Sequence, residues 1–105
     1  MATREAHEEL LLAARDYLDI TWDDPGGDEK LTHILSRGMA YLDSVAGCAL
    51  DYCEQDKPRE LLLEYARYVR SNALDEFARN YRHELLYLQN QKEAERYAEQ
   101  KAADV

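Results

Sequence analysis

Residues 58–77, PRELLLEYARYVRSNALDEF, contribute most to deciding the fold. Their apolar side chains recur every three or four residues, which is the spacing of one face of an α-helix. Pro58 suits the first turn of a helix, and Asp56 is well placed to cap it. The stretch therefore predicts the main core helix. Its buried face is formed by two adjacent rows, Leu62, Ala66, Val69 and Ala73 in one and Leu61, Tyr65 and Tyr68 in the other, with Phe77 extending it.

Two more amphipathic helices are predicted before this one. Thr3 is a plausible cap for a first helix that runs to about Leu18, and Asp28 for a second that Gly47 ends in a left-handed turn. Gly38 lies inside the second helix, where glycine costs about 1 kcal/mol relative to alanine. Either a neighbouring helix approaches closely there, or the protein tolerates the weakness. The apolar stripe of the second helix comprises Leu31, Ile34, Leu35, Gly38, Leu42 and Val45.

The chain after Pro58 contains no further proline and no glycine. A single helix from there to Val105 would be about 70 Å long, which one small domain cannot pack. We therefore expect a break near Asn80, followed by a shorter helix. The last residues, 89–105, are polar and form either a helical extension or a disordered tail that a partner orders. The predicted fold is all-α: a bundle of three to four helices over residues 1–88, and a polar tail over residues 89–105.

Composition excludes several classes of function. The 105 residues suit one domain. With 13 Lys and Arg against 22 Asp and Glu, the net charge of -9 repels nucleic-acid phosphates and anionic lipid surfaces. No apolar run approaches the roughly 20 residues of a membrane span. Two cysteines and an opening without a secretory apolar stretch favour a reducing compartment. We expect neither specific nucleic acid nor a membrane as partner.

No arrangement of residues predicts an enzyme, a metal site or a cofactor. Zinc requires about four ligands, and Cys48 and Cys53 have only His33 nearby. One cysteine is expected to face the core and the other to lie in a loop. The acids around the first loop fail the EF-hand spacing, so capping and solvation explain them. The three histidines lie on separate predicted helices without a nucleophile motif or a phosphate loop. Those acids are Asp19, Asp23, Asp24, Asp28 and Glu29, and those histidines are His7, His33 and His83.

Eight tyrosines against one Phe and one Trp are a marked bias. Tyrosine is enriched at protein interfaces, but it equally lines the edge of a small core with its hydroxyl outward. Charges on the main helix alternate in sign at spacings of three and four residues. They form either a solvated face or a surface that sets the register between subunits.

A resemblance to a known family covers roughly residues 8–88. It rests on Asp16-Tyr17-Leu18-Asp19-Ile20-Thr21-Trp22-Asp23-Asp24, Ile34-Leu35-Ser36-Arg37-Gly38, Tyr41-Leu42 and Ala46-Gly47. Arg59-Glu60-Leu61-Leu62 and Tyr65-Ala66-Arg67-Tyr68-Val69-Arg70-Ser71-Asn72-Ala73 extend it. The chain resembles the head-tail connector, or adaptor, proteins of tailed bacteriophages and prophages. The resembling positions are helix-packing residues, and they carry no chemical signature.

The resemblance implies a structural subunit, made in the bacterial cytoplasm, that joins identical copies at the virion head-tail junction. The expected partners are further copies in a closed ring of about twelve, the portal protein, and a stopper or tail-completion protein. The expected subunit interface comprises Arg37, Tyr41, Arg67, Arg70 and Asp75. The expected portal contact comprises Gln89, Lys92, Arg96 and Tyr97.

An alternative is a small helical DNA-binding or regulatory protein of a prophage, with a helix-turn-helix across the second and third helices. A recognition helix normally carries clustered basic residues. Here Arg59, Arg67 and Arg70 are interspersed with Glu60 and Glu64, which disfavours this alternative.

Overall fold

The described part of the chain is almost entirely helical. A computed structural model describes residues 4–22, 25–54 and 56–103. Five helices lie within those ranges: α1 Arg4–Tyr17, α2 Pro25–Ala46, α3 Lys57–Arg70, α4 Leu74–Asn80 and α5 Arg82–Ala103. The ranges contain no strand. The all-α prediction is confirmed, but the count of three to four helices is wrong, because the chain after Pro58 breaks twice.

The first of these breaks, between α3 and α4, was not predicted. Asn72 adopts a left-handed conformation with φ 54°. The Ser71 N–H donates to the Arg67 carbonyl, and the Ala73 N–H donates to the Tyr68 carbonyl, so the end of α3 is capped by its own backbone. The expected break near Asn80 is confirmed. It is a kink at Tyr81, whose N–H still donates to the Phe77 carbonyl at 2.9 Å.

Two of the predicted helix boundaries are confirmed, and one is wrong. Asp56 caps α3, where its Oδ1 accepts from the Lys57 N–H at 2.8 Å. Gly47 ends α2 with φ 75°, as expected. The prediction that Asp28 caps α2 is wrong, because α2 begins at Pro25, whose fixed φ suits a first helical position, and Asp28 lies in the first turn. Thr3 lies outside the described residues.

The α2–α3 pair forms the centre of the core. At Gly38 an added Cβ would lie 2.7 Å from Leu62 Cδ1 and 2.8 Å from Tyr65 Cδ1. The close approach of α3 therefore explains why position 38 is a glycine. Of the two interpretations of Gly38, this one is confirmed. All five helices contribute buried side chains, including Leu10, Leu42, Leu62, Phe77 and Leu88.

Contacts between helices define two ends of the molecule. Tyr17 bonds to Glu64 and Arg59 to Glu9, so α1 runs parallel to α3. Tyr41 contacts Tyr65 while Arg37 and Arg70 line one cleft, so α2 runs antiparallel to α3. The end formed by the last turn of α1, the first half of α2 and the last turn of α3 is called the cleft end. The opposite end, formed by the residue 48–56 loop, is called the loop end. The Cα positions span 55 × 32 × 18 Å.

None of the described helices is both long enough and apolar enough to cross a membrane.

Candidate binding surfaces

Within residues 4–22, 25–54 and 56–103, no group of three or more His, Cys, Asp or Glu side chains is arranged to hold a metal ion. Cys48 is half-buried against the core and Cys53 is exposed in the loop, which confirms the prediction for the two thiols. The described surface instead offers a cleft, a polar network and an exposed helix.

The cleft lies at the cleft end and has a volume of about 590 Å³. Its apolar lining is contributed by Ile20, Trp22, Leu31, Ile34 and Val69, and its polar lining by Gly27, Asp28, Lys30, His33, Arg37, Arg70 and Asn72. Among the described residues, Lys30, Arg37 and Arg70 make no ion pair. Within the described part of the chain, an acidic protein therefore presents three cations without an ion pair around one apolar recess.

A single arginine holds the wall of the cleft that contains Trp22. One Arg15 nitrogen donates to the Trp22 carbonyl at 2.5 Å, and the other lies 3.4 Å from Asp28 Oδ2. Arg15 thus ties the α1–α2 loop to the first turn of α2. Trp22 nevertheless remains 55% exposed, so its indole is held at the rim of the cleft without being covered.

The structure places the five expected interface residues at the cleft, at the edge of the core and on the surfaces of α3 and α4. Arg37 and Arg70 meet at the cleft. Tyr41 stacks on Tyr65 at a ring-centroid distance of 5.9 Å, so it lines the edge of the core. Arg67 bonds to Glu64, and Asp75 lies exposed on α4.

A polar network links α1, α3 and Tyr81. Glu64 accepts from the Tyr17 hydroxyl at 2.7 Å and from Arg67 Nε. Burial alone would raise the pKa of Glu64, but the hydrogen bonds from Arg67 and Tyr17 outweigh it and hold that pKa below its usual range. Burial and the bond to Glu64 raise the pKa of Tyr17 to about 12. The arrangement joins α1 to α3 through Glu64.

The C-terminal half of α5 is the least buried helical segment. From Gln89 to Ala102, Lys92 alone is half-buried and every other residue is exposed. Arg96 holds this segment against α2 by donating to the Gly47 carbonyl at 2.6 Å. Tyr87 and Tyr97 are 65% and 66% exposed. Of the expected portal contacts, Gln89, Arg96 and Tyr97 are exposed, and Lys92 pairs with Glu95.

The loop end carries an internal clamp that the sequence did not reveal. The Tyr52 hydroxyl lies 2.6 Å from Asp43 Oδ1, which also accepts from the Leu50 N–H. Burial, together with the Asp43 carboxylate, raises the pKa of Tyr52. Tyr52 is buried and is the only aromatic residue of this loop, and that isolated aromatic was the available signal. Trp22 and Lys30 were also missed as cleft residues, although the only tryptophan of the sequence lies three residues before Pro25, where α2 begins.

Comparisons with protein-family models, with curated proteins and with solved structures find no match for this chain.

Proposed function

We propose that this protein is a structural subunit of a tailed phage or prophage, which forms a ring on the portal and joins it to the stopper or tail. The observation that carries the proposal is the C-terminal half of α5, an exposed helix that contributes almost nothing to the core. The resemblance of residues 8–88 to head-tail connector proteins supplies the identity of the partners. The proposed location is the virion head-tail junction.

The second half of α5 lacks the burial that normally stabilises a helix. A helix of about 15 residues is marginal in water by itself, and packing of an apolar face usually decides its stability. Residues 89–102 are exposed apart from the half-buried Lys92, and Arg96 bonds to the Gly47 carbonyl. A partner that covers Tyr87 and Tyr97 would supply the missing apolar contact. We assign that partner as the portal protein.

Ring formation requires two different faces on each subunit, because head-to-tail contacts close only when unlike surfaces meet. The cleft end and the loop end are unlike and lie at opposite ends of the α2–α3 pair. An elongated subunit with two unlike ends is able to form such head-to-tail contacts.

Truncation after Leu88 tests the assignment of α5. The native chain, mixed with the portal protein of its own genome, is expected to form a ring visible by negative-stain electron microscopy. The truncated chain should melt at nearly the same temperature and fail to bind. Equal portal binding by the truncated chain would refute the role of α5.

Point variants make the same test without shortening the chain. Tyr97→Ser should weaken portal binding, because it removes an exposed aromatic anchor. Glu99→Gln, two residues further on, is the matched control and should bind as the native chain does.

The DNA-binding alternative gives a distinct outcome. Arg59 pairs with Glu9 and Arg67 with Glu64, so two of the three basic residues proposed for a recognition helix are engaged within the fold. We expect no shift of duplex DNA in a low-salt gel. A sequence-dependent shift without portal binding would replace the connector by a regulator.

A further inference from the structure

We infer that the cleft is the acceptor for the loop end of a second copy of this chain, so that copies associate head to tail through cleft and loop. The inference rests on the proposed function, because it names the surfaces through which the copies of the ring meet. Its occupant is the loop segment that carries Asp51 and Glu54.

The basic residues that line the cleft favour an acidic segment as its occupant. Lys30, Arg37 and Arg70 surround the recess without ion-pair partners in the described part of the chain. Of the described acids in the first half of α2, Asp28 pairs with Arg15, and Glu29 lies 4.0 Å from His33, which forms an ion pair only when His33 is protonated. Unpaired cations facing an apolar recess attract a segment that brings carboxylates together with apolar contact.

The loop end offers such a segment. Asp51 and Glu54 are both exposed, and neither makes an ion pair with another described residue. Asp51 accepts from the Cys53 N–H at 2.9 Å, and Arg59 donates to the Cys53 carbonyl at 3.1 Å. With the Tyr52 clamp, these bonds fix the loop before binding, which reduces the ordering cost of association.

The two surfaces cannot meet within one molecule. Lys30 and Ala46 are separated along α2 by about 24 Å at 1.5 Å per residue, and the loop begins beyond Ala46. Contact between cleft and loop therefore requires a second copy. Because the surfaces differ, the association is head to tail, which gives a closed ring when the rotation between copies closes.

Charge reversal with rescue tests the inference. In Arg37→Glu/Arg70→Glu the cleft is acidic, and in Asp51→Lys/Glu54→Lys the loop is basic. Each variant alone should self-associate at least about tenfold more weakly than the native chain. The measurement is sedimentation velocity at low salt with chemical cross-linking, over a range up to high protein concentration. An equimolar mixture of the two variants should associate again, because each then presents a complementary surface to the other.

Two controls distinguish the loss of the cleft–loop contact from a change in net charge or in stability. Arg79→Glu/Arg82→Glu changes the net charge equally outside the cleft and should associate as the native chain does. Glu54→Lys alone leaves the Asp51 hydrogen bond to Cys53 intact, and it should weaken association without altering the melting temperature.

The possible outcomes are decisive. Native chains that never associate, either free or on the portal, would overturn the inference. So would cleft variants that associate normally, a mixture that fails to recover, or a cleft that binds an acidic peptide of another protein in place of a second copy. Portal rings that form despite charge reversal would overturn the inference while leaving the proposed function intact. Charge-dependent association without portal binding would support the inference and refute the function.

Discussion

At the scale of single residues, two positions hold α3 in place by opposite means. Gly38 has no side chain, so α2 approaches α3 until Leu62 and Tyr65 occupy the space that a Cβ would take. Glu64 reaches outward from α3, and it is 15% exposed where it accepts from Tyr17 and Arg67. Gly38 allows α2 and α3 to pack closely, and Glu64 holds α1 against α3 through its hydrogen bond with Tyr17.

Substitution at Gly38 tests the close approach. Alanine favours an α-helix by about 1 kcal/mol over glycine, but overpacking a core costs about 1 to 3 kcal/mol. Because both neighbouring side chains are buried, we expect Gly38→Ala to lower the free energy of unfolding by about 1 kcal/mol in urea titrations. Ser44→Ala, on the exposed side of α2, should raise it by a few tenths of a kcal/mol. A stabilising Gly38→Ala would contradict the packing argument.

The Glu64 network predicts a pH dependence of stability. The pKa of Glu64 is lower in the folded protein than its ordinary value of 4.5, so its contribution is present above pH 4.5 and is lost as the pH falls through the folded pKa. The pKa of Tyr17 is raised from 10.0 to about 12, so its contribution is present below pH 10.0 and is lost as the pH rises toward 12. Melting temperatures measured across pH should fall at both extremes.

Two variants separate these contributions. Glu64→Gln should flatten the acidic fall, and Tyr17→Phe should reduce the alkaline one, to which Tyr52, whose pKa is also raised, contributes as well. Glu60→Gln, which affects only an exposed pair with Lys57, is the control and should leave the acidic profile nearly native. An acidic profile for Glu64→Gln that matches the native one would show that the network does not act through this carboxylate.

At the scale of helices, the sequence predicts two helix boundaries correctly, each marked by a proline, a glycine or a capping aspartate. It does not predict another boundary, at which none of these residues is present. Pro58 and Asp56 placed the start of α3, and Gly47 placed the end of α2. The break at residues 71–73 was missed, because Ser71-Asn72 contains neither proline nor glycine and the helical period continues past it. Asparagine tolerates the left-handed conformation better than most residues, so Asn72 was the available signal.

The cleft is also not predictable from the helical period. The sequence predicts Arg37 and Arg70 as interface residues, but their position in one cleft depends on how α2 packs on α3. The helical period alone does not give that geometry. Trp22 was overlooked because its position is set by Arg15, a contact between residues that no periodic pattern connects.

Arg96 determines how firmly the second half of α5 stays helical. Its bond to the Gly47 carbonyl is the main link of that segment to α2, and such a bond contributes about 1 kcal/mol. Arg96→Ala should therefore make amide hydrogen exchange about fivefold faster in the segment from Asn90 to Gln100. The core helices should exchange as before. Lys101→Ala, in the last turn of α5, is the control, and equal exchange in both variants would contradict a role for Arg96.

At the scale of the whole molecule, one cluster of rings joins three of the five described helices to the kink at Tyr81. Phe77 of α4 packs edge-on against Tyr65 and Tyr68 of α3 and Tyr41 of α2, and it stacks on Tyr81, between α4 and α5, with centroids 5.1 Å apart. The remaining buried residues, from Leu10 of α1 to Leu88 of α5, belong to the same core. Proteins with a single core of this size usually unfold in one cooperative step.

Phe77 and Trp22 together test whether the molecule unfolds as a unit. Phe77→Ala should lower the free energy of unfolding by about 3 to 5 kcal/mol, a large part of the 5 to 15 kcal/mol of a typical domain, and Phe77→Leu by about 1. The only tryptophan, Trp22, lies at the cleft rim outside the Phe77 cluster, so its fluorescence reports the cleft end while circular dichroism reports all helices. Because one core links them, both signals should change at the same urea concentration in the native chain and shift together in Phe77→Leu. A fluorescence transition that stays in place while the helical signal shifts would show that the cleft end unfolds independently of the aromatic cluster.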